Sequence, residues 1–207
     1  MSLPISADVL SALVLFAFVA SATPGPNNMM LLTSGVNYGF RRSIPHMAGV
    51  TIGFAVMILL IGLGVGRVFE RLPRLYDALK LVSAAYMLWL AWQIATAGPV
   101  TPDALPRDAR PMTFWQAAAF QWVNPKAWTI CLAAVAAYTV PTAYTASMLL
   151  ISVVFALVTV PSISAWTIFG VSLRGLLADP KRVHIFNVTM ALALVASLWP
   201  LLAAYWR

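Results

Sequence analysis

Charged side chains are scarce in this sequence, and acidic ones are the scarcest. Only 9% of the 207 residues are Asp, Glu, Lys or Arg, whereas an ordinary soluble domain carries about 25%. With 61% hydrophobic residues and a mean hydropathy of +0.86, the chain lacks the polar side chains that would cover a water-facing surface. The composition therefore excludes an ordinary soluble domain and predicts an integral membrane protein.

Cysteine and metal-binding side chains are also few. Cys131 is the single cysteine and lies inside an apolar run, which excludes an intramolecular disulfide and a thiolate metal site. His46 and His184 stand at the starts of apolar segments, where we expect boundary residues, and no acid lies in the interior of a segment. Metal binding would need several His, Asp or Glu side chains together, so we predict neither a metal nor a cofactor.

The net charge of +7 comes from 13 basic and 6 acidic residues. In isolation such a balance would suggest a nucleic-acid partner, but the basic residues form short clusters between apolar runs. That arrangement is typical of loops in membrane proteins. The predicted partner is the lipid bilayer rather than nucleic acid.

Apolar runs and their breakers divide the chain into helical segments. Spanning the hydrocarbon core of about 30 Å takes about 20 apolar residues, so the chain has room for about six spans. The predicted segments are 8–36, 45–66, 75–97, 114–138, 143–169 and 183–205.

A proline-rich connection, 98–113, lies between the third and fourth segments and reads as an exposed linker. We expect one transmembrane domain over 1–207, with a first repeat at 1–97 and a second at 114–207. Because three spans is an odd number, two similar halves would lie in opposite orientations. The predicted fold is an all-α integral membrane protein of about six helices arranged as two inverted three-helix repeats.

The first segment of each half contains a helix break. Pro24, Gly25 and Pro26 interrupt the first segment, because each proline removes a backbone donor and glycine relaxes the backbone. Pro125 interrupts the fourth segment, and Asn124 before it is a candidate N-cap for a restarted helix. We therefore predict that the first helix of each half is broken.

Irregular backbone at membrane depth is tolerated only where it is buried in protein or lines a water-filled cavity. Interrupted helices at corresponding positions of two halves mark the substrate site in secondary transporters. We therefore expect both breaks to face one cavity, although proline kinks that only shape helix packing are an alternative. The predicted substrate-binding residues are Asn27, Asn28, Asn124 and Lys126.

Lys126 lies near the middle of the fourth segment, where a charged lysine costs at least about 2.5 to 3.5 kcal/mol. It also stands at the N-terminal end of a half-helix, where the helix dipole disfavours a cation. Either Lys126 neutralises a substrate carboxylate or it exchanges a proton during transport. A lysine that extends to the membrane interface is the structural alternative.

Four motifs carry a resemblance to a known family. They are TPGPNN at 23–28, GFRR at 39–42, AAYMLWLAW at 84–92 and FQWVNPK at 120–126. In order and spacing they resemble the LysE/RhtB amino-acid exporter family, and most of all its cysteine/O-acetylserine efflux branch. The resemblance implies an exporter of about six helices in the bacterial inner membrane, exchanging amino acids with protons.

Many members of that family carry Asp where this chain has Asn27. The substitution leaves no carboxylate at the first break, so the resemblance favours a small neutral amino acid over a dibasic one. Homoserine and threonine are further candidates beside cysteine and O-acetylserine.

Two other functions stay open on sequence grounds. A passive channel or small-ion pathway would use the same membrane helices. An intramembrane enzyme would need a nucleophile with a base, for which Lys126 and a serine of the fifth segment are the candidates; we predict no enzyme and no catalytic residue. Glycines spaced four apart, Gly49 with Gly53 and Gly62 with Gly66, would allow helices of a homo-oligomer to approach closely.

Overall fold

The computed structural model describes residues 5–65, 73–96, 110–175 and 179–196, and over these ranges the chain is helical with short connections. Eight α-helices follow one another, with a wider helical turn at Ile61–Val65 and a single 3-10 turn at Pro141–Ala143. The helices are α1 (Ala7–Ala22), α2 (Pro26–Tyr38), α3 (Phe40–Leu60), α4 (Pro73–Ala95), α5 (Phe114–Val123), α6 (Pro125–Tyr138), α7 (Tyr144–Ser172) and α8 (Pro180–Ala196).

The connection between α2 and α3 is a single residue. Gly39 has φ 81°, a left-handed conformation that favours glycine, and α3 begins directly after it at Phe40. The sequence placed the start of the second span at Pro45, five residues later. Pro45 lies inside the helix, in its second turn, so the loop predicted around Arg41 and Arg42 is helical instead.

Two helical stretches in the described part of the chain, Phe40–Gly64 and Pro141–Ser172, are long and apolar enough to cross a membrane. The bent pair of α1 and α2 makes a third candidate when it is counted as one broken span. Most of the predicted linker 98–113 and the end of the sixth predicted segment lie outside the described residues.

Helix α7 lies at the centre of the molecule and contacts α1, α2 and α3. Helix α3 also packs along α5, and α4 pairs with α8. Side chains of α1, α3, α6 and α7 form the largest hydrophobic core, in which Leu13, Met57 and Phe155 are buried. Cys131 is fully buried in the same core, as a small apolar residue would be.

The glycines of α3 allow close approach within the chain. A Cβ on Gly49 would lie 2.3 Å from the carbonyl oxygen of Phe114, and one on Gly53 would lie 2.6 Å from the Cα of Ala118. Gly62 packs in the same way on Met148 of α7. These faces are therefore covered by the chain's own helices and do not offer a surface to a second copy; Gly66 lies outside the described residues.

Candidate functional site

The first break separates α1 from α2 by a bend of 56°. Helix α1 ends at Ala22, Thr23 and Gly25 are extended, and Pro26 is the first residue of α2. Pro26 has no N–H to leave unpaired, which suits the first position of a helix. The structure confirms the break predicted from Pro24, Gly25 and Pro26.

The second break separates α5 from α6 at one residue. Asn124 is extended, and Pro125 begins α6 as predicted. The Asn124 Oδ1 accepts a hydrogen bond of 3.1 Å from the backbone N–H of Lys126, so Asn124 is the predicted N-cap. The N–H of Ala127 is bonded to the Asn124 carbonyl at 3.0 Å, which completes the cap.

The carbonyl groups at the end of α1 would lack partners in a helix that simply stopped. Asn28, the third residue of α2, donates its Nδ2 to the carbonyls of Ser21 at 2.8 Å and Thr23 at 2.9 Å. Trp166 of α7 donates its Nε1 to the carbonyl of Ala22 at 3.2 Å. Side chains from two other helices thus hold the broken end of α1.

Lys126 connects the two breaks. Its Nζ donates to the Thr23 carbonyl at 2.7 Å, the Thr23 Oγ1 at 2.9 Å and the Pro24 carbonyl at 3.3 Å. The C-terminal end of a helix carries a partial negative charge that favours a cation. The backbone of Lys126 lies in the first turn of α6, but its ammonium group lies at the C-terminal end of α1. The unfavourable interaction with the helix dipole that the sequence predicted is therefore avoided.

A second link between the breaks is an amide pair. Asn27 donates its Nδ2 to the Gln121 Oε1 at 2.8 Å, and the Gln121 Nε2 donates back to the Asn27 Oδ1 at 3.2 Å. Gln121 is completely buried and also bonds the Ala117 carbonyl. Sequence reasoning missed Gln121; its signal was a polar residue on an apolar helix, three residues before the break.

A cavity lies between the two breaks. Its empty volume is about 480 Å³, counted with the open space at its mouth. All four predicted binding residues line it, together with Gly25 and Pro26, and the structure therefore brings both breaks to one site. The remaining lining residues are Ala20, Ser21, Val50, Phe54, Ala127, Ile130, Phe155, Thr159 and Ile163.

The polar groups of the cavity are suited to a negatively charged group. The backbone N–H groups of Asn27 and Asn28, at the start of α2, have no hydrogen-bond acceptor among the described residues. Free N–H groups at a helix N-terminus attract anions, and the Lys126 ammonium lies nearby. The lining residues that the structure describes include no carboxylate.

Hydroxyl groups of α7 divide into two kinds. Thr159 lines the cavity and lies 3.2 Å from the Ser21 Oγ of α1. Ser152 instead donates to the Ala55 carbonyl at 2.9 Å and joins α7 to α3. Only Thr159 among the described hydroxyls of this helix therefore belongs to the polar surface of the site.

The prediction for His46 is wrong. Its side chain is 1% exposed, and its Nδ1 lies 3.0 Å from the Ser34 Oγ of α2. Because α3 begins five residues earlier than predicted, His46 lies within the helix, packed on α2. His184 is exposed, as a boundary residue would be.

Comparison with known proteins gives a consistent family assignment. A sequence profile described as "LysE type translocator" matches residues 18–204. The cysteine/O-acetylserine efflux proteins of Escherichia coli strain K12, Shigella sonnei strain Ss046 and Shigella flexneri are each 32% identical to the chain over 189 residues. Each alignment covers 90% of this chain and 94% of the relative. No solved structure matches the chain significantly.

Proposed function

Because the chain belongs to the LysE type translocator family, we propose that it is a secondary exporter of a small neutral amino acid, with cysteine and O-acetylserine as the first candidates. The family consists of translocators rather than enzymes, as the sequence predicted. Amino-acid efflux across a membrane is the function common to the relatives; the substrate of this chain, the bacterial inner membrane as its location and coupling to protons belong to the proposal.

The observation that carries the proposal is the cavity between the two helix breaks. It offers two free N–H groups and one lysine ammonium to a carboxylate, and apolar walls to a short side chain. Phe54, Phe155 and Ile163 contribute to those walls. A substrate with a second ammonium group would find no carboxylate among the described lining residues, so a neutral amino acid fits better than a dibasic one.

We further propose that the chain consists of two inverted three-helix repeats with about six spans. Exchanging the halves would superimpose α1 on α5, α2 on α6, α3 on α7 and α4 on α8. The packing of α1 on α7 then corresponds to that of α5 on α3, and the pairs α3 with α7 and α4 with α8 map onto themselves, whereas the close packing of α2 on α7 has only a weak counterpart in α6 on α3. The broken helices also occupy equivalent positions, which supports a shared substrate site at the centre.

Lys126 has one of two roles in this proposal. As a permanent cation it would neutralise the substrate carboxylate, and as a proton carrier it would release its proton when the site opens to the other side. Both roles place the ammonium group at the cavity. They differ in whether transport without Lys126 still responds to a pH gradient.

Export by the purified protein in liposomes tests the proposal. We expect radiolabelled cysteine or O-acetylserine to accumulate against its gradient when a pH gradient is imposed, since a coupled exporter concentrates its substrate. A passive channel would only dissipate a pre-formed gradient. Failure to transport any amino acid in a screen of all of them would contradict the proposal.

The Lys126→Ala variant tests the site. We expect export to fall by at least about tenfold, because a charged hydrogen-bond partner contributes about 1.5 to 3 kcal/mol. Lys181→Ala is the matched control, since Lys181 is exposed and lies outside the cavity. Normal export by Lys126→Ala at an equal protein level would remove the lysine from the mechanism.

A further inference from the structure

We infer that the Lys126 ammonium occupies the binding position of the substrate's own ammonium group, and that the arriving amino acid displaces it and then binds it through its carboxylate. This inference rests on the proposed function and specifies how the site recognises a zwitterion. The inference starts from the position of one side chain. The carbonyl oxygens of the first break hold the Lys126 ammonium group, while the backbone of Lys126 belongs to the second break.

The acceptors at the end of α1 form a site for a primary ammonium ion. The carbonyl oxygens of Thr23 and Pro24 and the Thr23 hydroxyl lie 2.7, 3.3 and 2.9 Å from the Lys126 Nζ. An alkylammonium ion carries three N–H donors, so these three oxygens satisfy all of them. The α-ammonium of an amino acid has the same three donors and the same charge, and the oxygens cannot distinguish it from a lysine.

The Lys126 ammonium group can leave while other side chains still donate hydrogen bonds to the carbonyl groups at the end of α1. Asn28 also donates to the Thr23 carbonyl and holds the Ser21 carbonyl, and Trp166 holds the Ala22 carbonyl. These bonds stay in place when the Lys126 ammonium moves. Thr23 and Pro24 are exposed and directly precede Gly25, which lines the cavity, so the approach of another ammonium group to their oxygens needs no unfolding of the helix.

Gly25 provides the space in which the lysine lies. A Cβ at this position would be 2.7 Å from the Lys126 Cδ and 3.0 Å from its Nζ. Gly25 has φ −175°, which any residue adopts, so the requirement for glycine here is space rather than backbone conformation. The absence of a side chain at Gly25 is therefore what allows Lys126 to reach the end of α1.

The carboxylate position follows from the same break. Only Pro24 and Gly25 separate the Thr23 carbonyl from α2, whose free N–H groups at Asn27 and Asn28 attract an anion. An α-amino acid carries its ammonium and carboxylate on one carbon atom. It can therefore place the ammonium on the α1 end and the carboxylate on the α2 start, where the displaced Lys126 adds its charge.

Replacement of the lysine by an apolar residue of similar length tests whether its ammonium group competes with the ligand's. We expect Lys126→Met to bind cysteamine, which is cysteine without its carboxylate, about tenfold more tightly than the unmodified protein, because the competing ammonium is gone. The same variant should bind 3-mercaptopropionate, which lacks the ammonium group, more weakly, because the carboxylate loses its cation. Equilibrium binding to the purified protein under reducing conditions measures both ligands and L-cysteine.

The alternatives predict different patterns. If Lys126 only neutralises the carboxylate, loss of its charge still raises cysteamine affinity in Lys126→Met, but Gly25→Ala, which keeps the charge, leaves cysteamine affinity unchanged. If the lysine only holds the fold, all ligands bind more weakly in Lys126→Met. Either result overturns the inference while leaving cysteine binding by the unmodified protein, and thus the proposed function, intact. If the unmodified protein binds no amino acid, both proposals fall. Lys181→Met is the matched control and should behave as the unmodified protein does.

Gly25→Ala provides a second test that keeps the lysine. Its Cβ pushes the Lys126 side chain away from the Thr23 and Pro24 oxygens. We expect cysteamine and L-cysteine both to bind more tightly, because the lysine no longer competes for the Thr23 and Pro24 oxygens, whereas in Lys126→Met only cysteamine gains fully. Unchanged cysteamine affinity in Gly25→Ala contradicts the inference, and this result does not depend on the folding of Lys126→Met.

Discussion

At the scale of single residues, the amide pair of Asn27 and Gln121 joins segments that are 94 residues apart. Gln121 is completely buried, so its amide has no access to water if the partner is removed. A buried amide left unpaired costs about 1 to 3 kcal/mol. The pair therefore holds the two breaks in register and keeps the Asn27 side chain directed at α5.

We expect Gln121→Met to lower the stability of the protein by about 1 to 3 kcal/mol, because it keeps the side-chain volume and removes the amide. A double-mutant cycle with Asn27→Leu should give a coupling energy of about 0.6 to 1.7 kcal/mol, the range found for hydrogen bonds between membrane helices. Reversible unfolding in detergent micelles measures both values. Gln93→Met, at an exposed position of α4, is the control. Additive effects of the two changes would show that the amide pair does not couple the breaks.

Sequence reasoning located these residues better than it located their partners. Asn124 and Pro125 define a local pattern, and the N-cap follows from that pattern alone. The contacts of Lys126 with Thr23 and of Asn27 with Gln121 depend on how two distant helix breaks pack together. No spacing along the chain encodes such a contact. The sequence therefore placed Lys126 at the correct break, but it placed the ammonium group at the N-terminal end of α6 instead of the C-terminal end of α1.

At the scale of helices, the breaks were predictable because proline lacks the N–H that a continuous helix needs. Helix ends without proline were less clear. The start of α3 depends on the positive φ of Gly39, and the sequence cannot show which glycine adopts that conformation. His46 was misplaced for this reason, because it is the seventh residue of α3 rather than the second residue of a span, and its side chain is buried against α2.

Helices α2 and α7 cross at two glycines. A Cβ on Gly35 would lie 2.1 Å from the Thr167 carbonyl oxygen, and one on Gly170 would lie 2.1 Å from the Leu32 carbonyl oxygen. Both obstacles are backbone atoms of the facing helix, so a side chain at either position must separate the helices. The reciprocal arrangement fixes the second half of the first broken helix against the central helix.

We expect Gly35→Ala and Gly170→Ala each to destabilise the protein by at least about 1 to 3 kcal/mol, the usual cost of overpacking. Gly175→Ala is the control, because a Cβ there meets nothing within 4 Å. Thermal unfolding in detergent compares the three variants. If Gly35→Ala unfolds at the same temperature as Gly175→Ala, the close crossing does not exist in the folded protein.

At the scale of the whole molecule, the two halves of the chain are joined at both ends of α7. At its start, Tyr144 donates its hydroxyl to the Gly62 carbonyl at 2.5 Å. Just beyond its end, Arg174 donates its Nε to the Val36 carbonyl at 2.6 Å. Each contact joins the second half to the first, and the cavity lies between them along the helix. If the proposed exporter works by alternating access, contacts on either side of the cavity are candidates for its two closures.

If these contacts act as opposite gates, weakening each one exposes the cavity from a different side. We expect Tyr144→Phe to raise the accessibility of the cavity from the end of α7 that carries Tyr144, and Arg174→Ala to raise it from the other end. Each variant removes a hydrogen bond of about 0.5 to 3 kcal/mol, which shifts the balance between the two states by about two- to a hundredfold.

The labelling rate of one cysteine in the cavity measures this change. Cys131→Ala removes the single native cysteine, and Ile130→Cys places a thiol on the cavity wall. A maleimide that cannot cross the membrane is added to vesicles of either orientation, so that each side is probed separately. The two variants should accelerate labelling from opposite sides, and Arg41→Ala, at an exposed residue of α3, should change neither rate. Acceleration from the same side by both variants would mean that the two contacts do not gate opposite ends of the cavity, because alternating access requires that loosening one closure favours the state in which the other is formed.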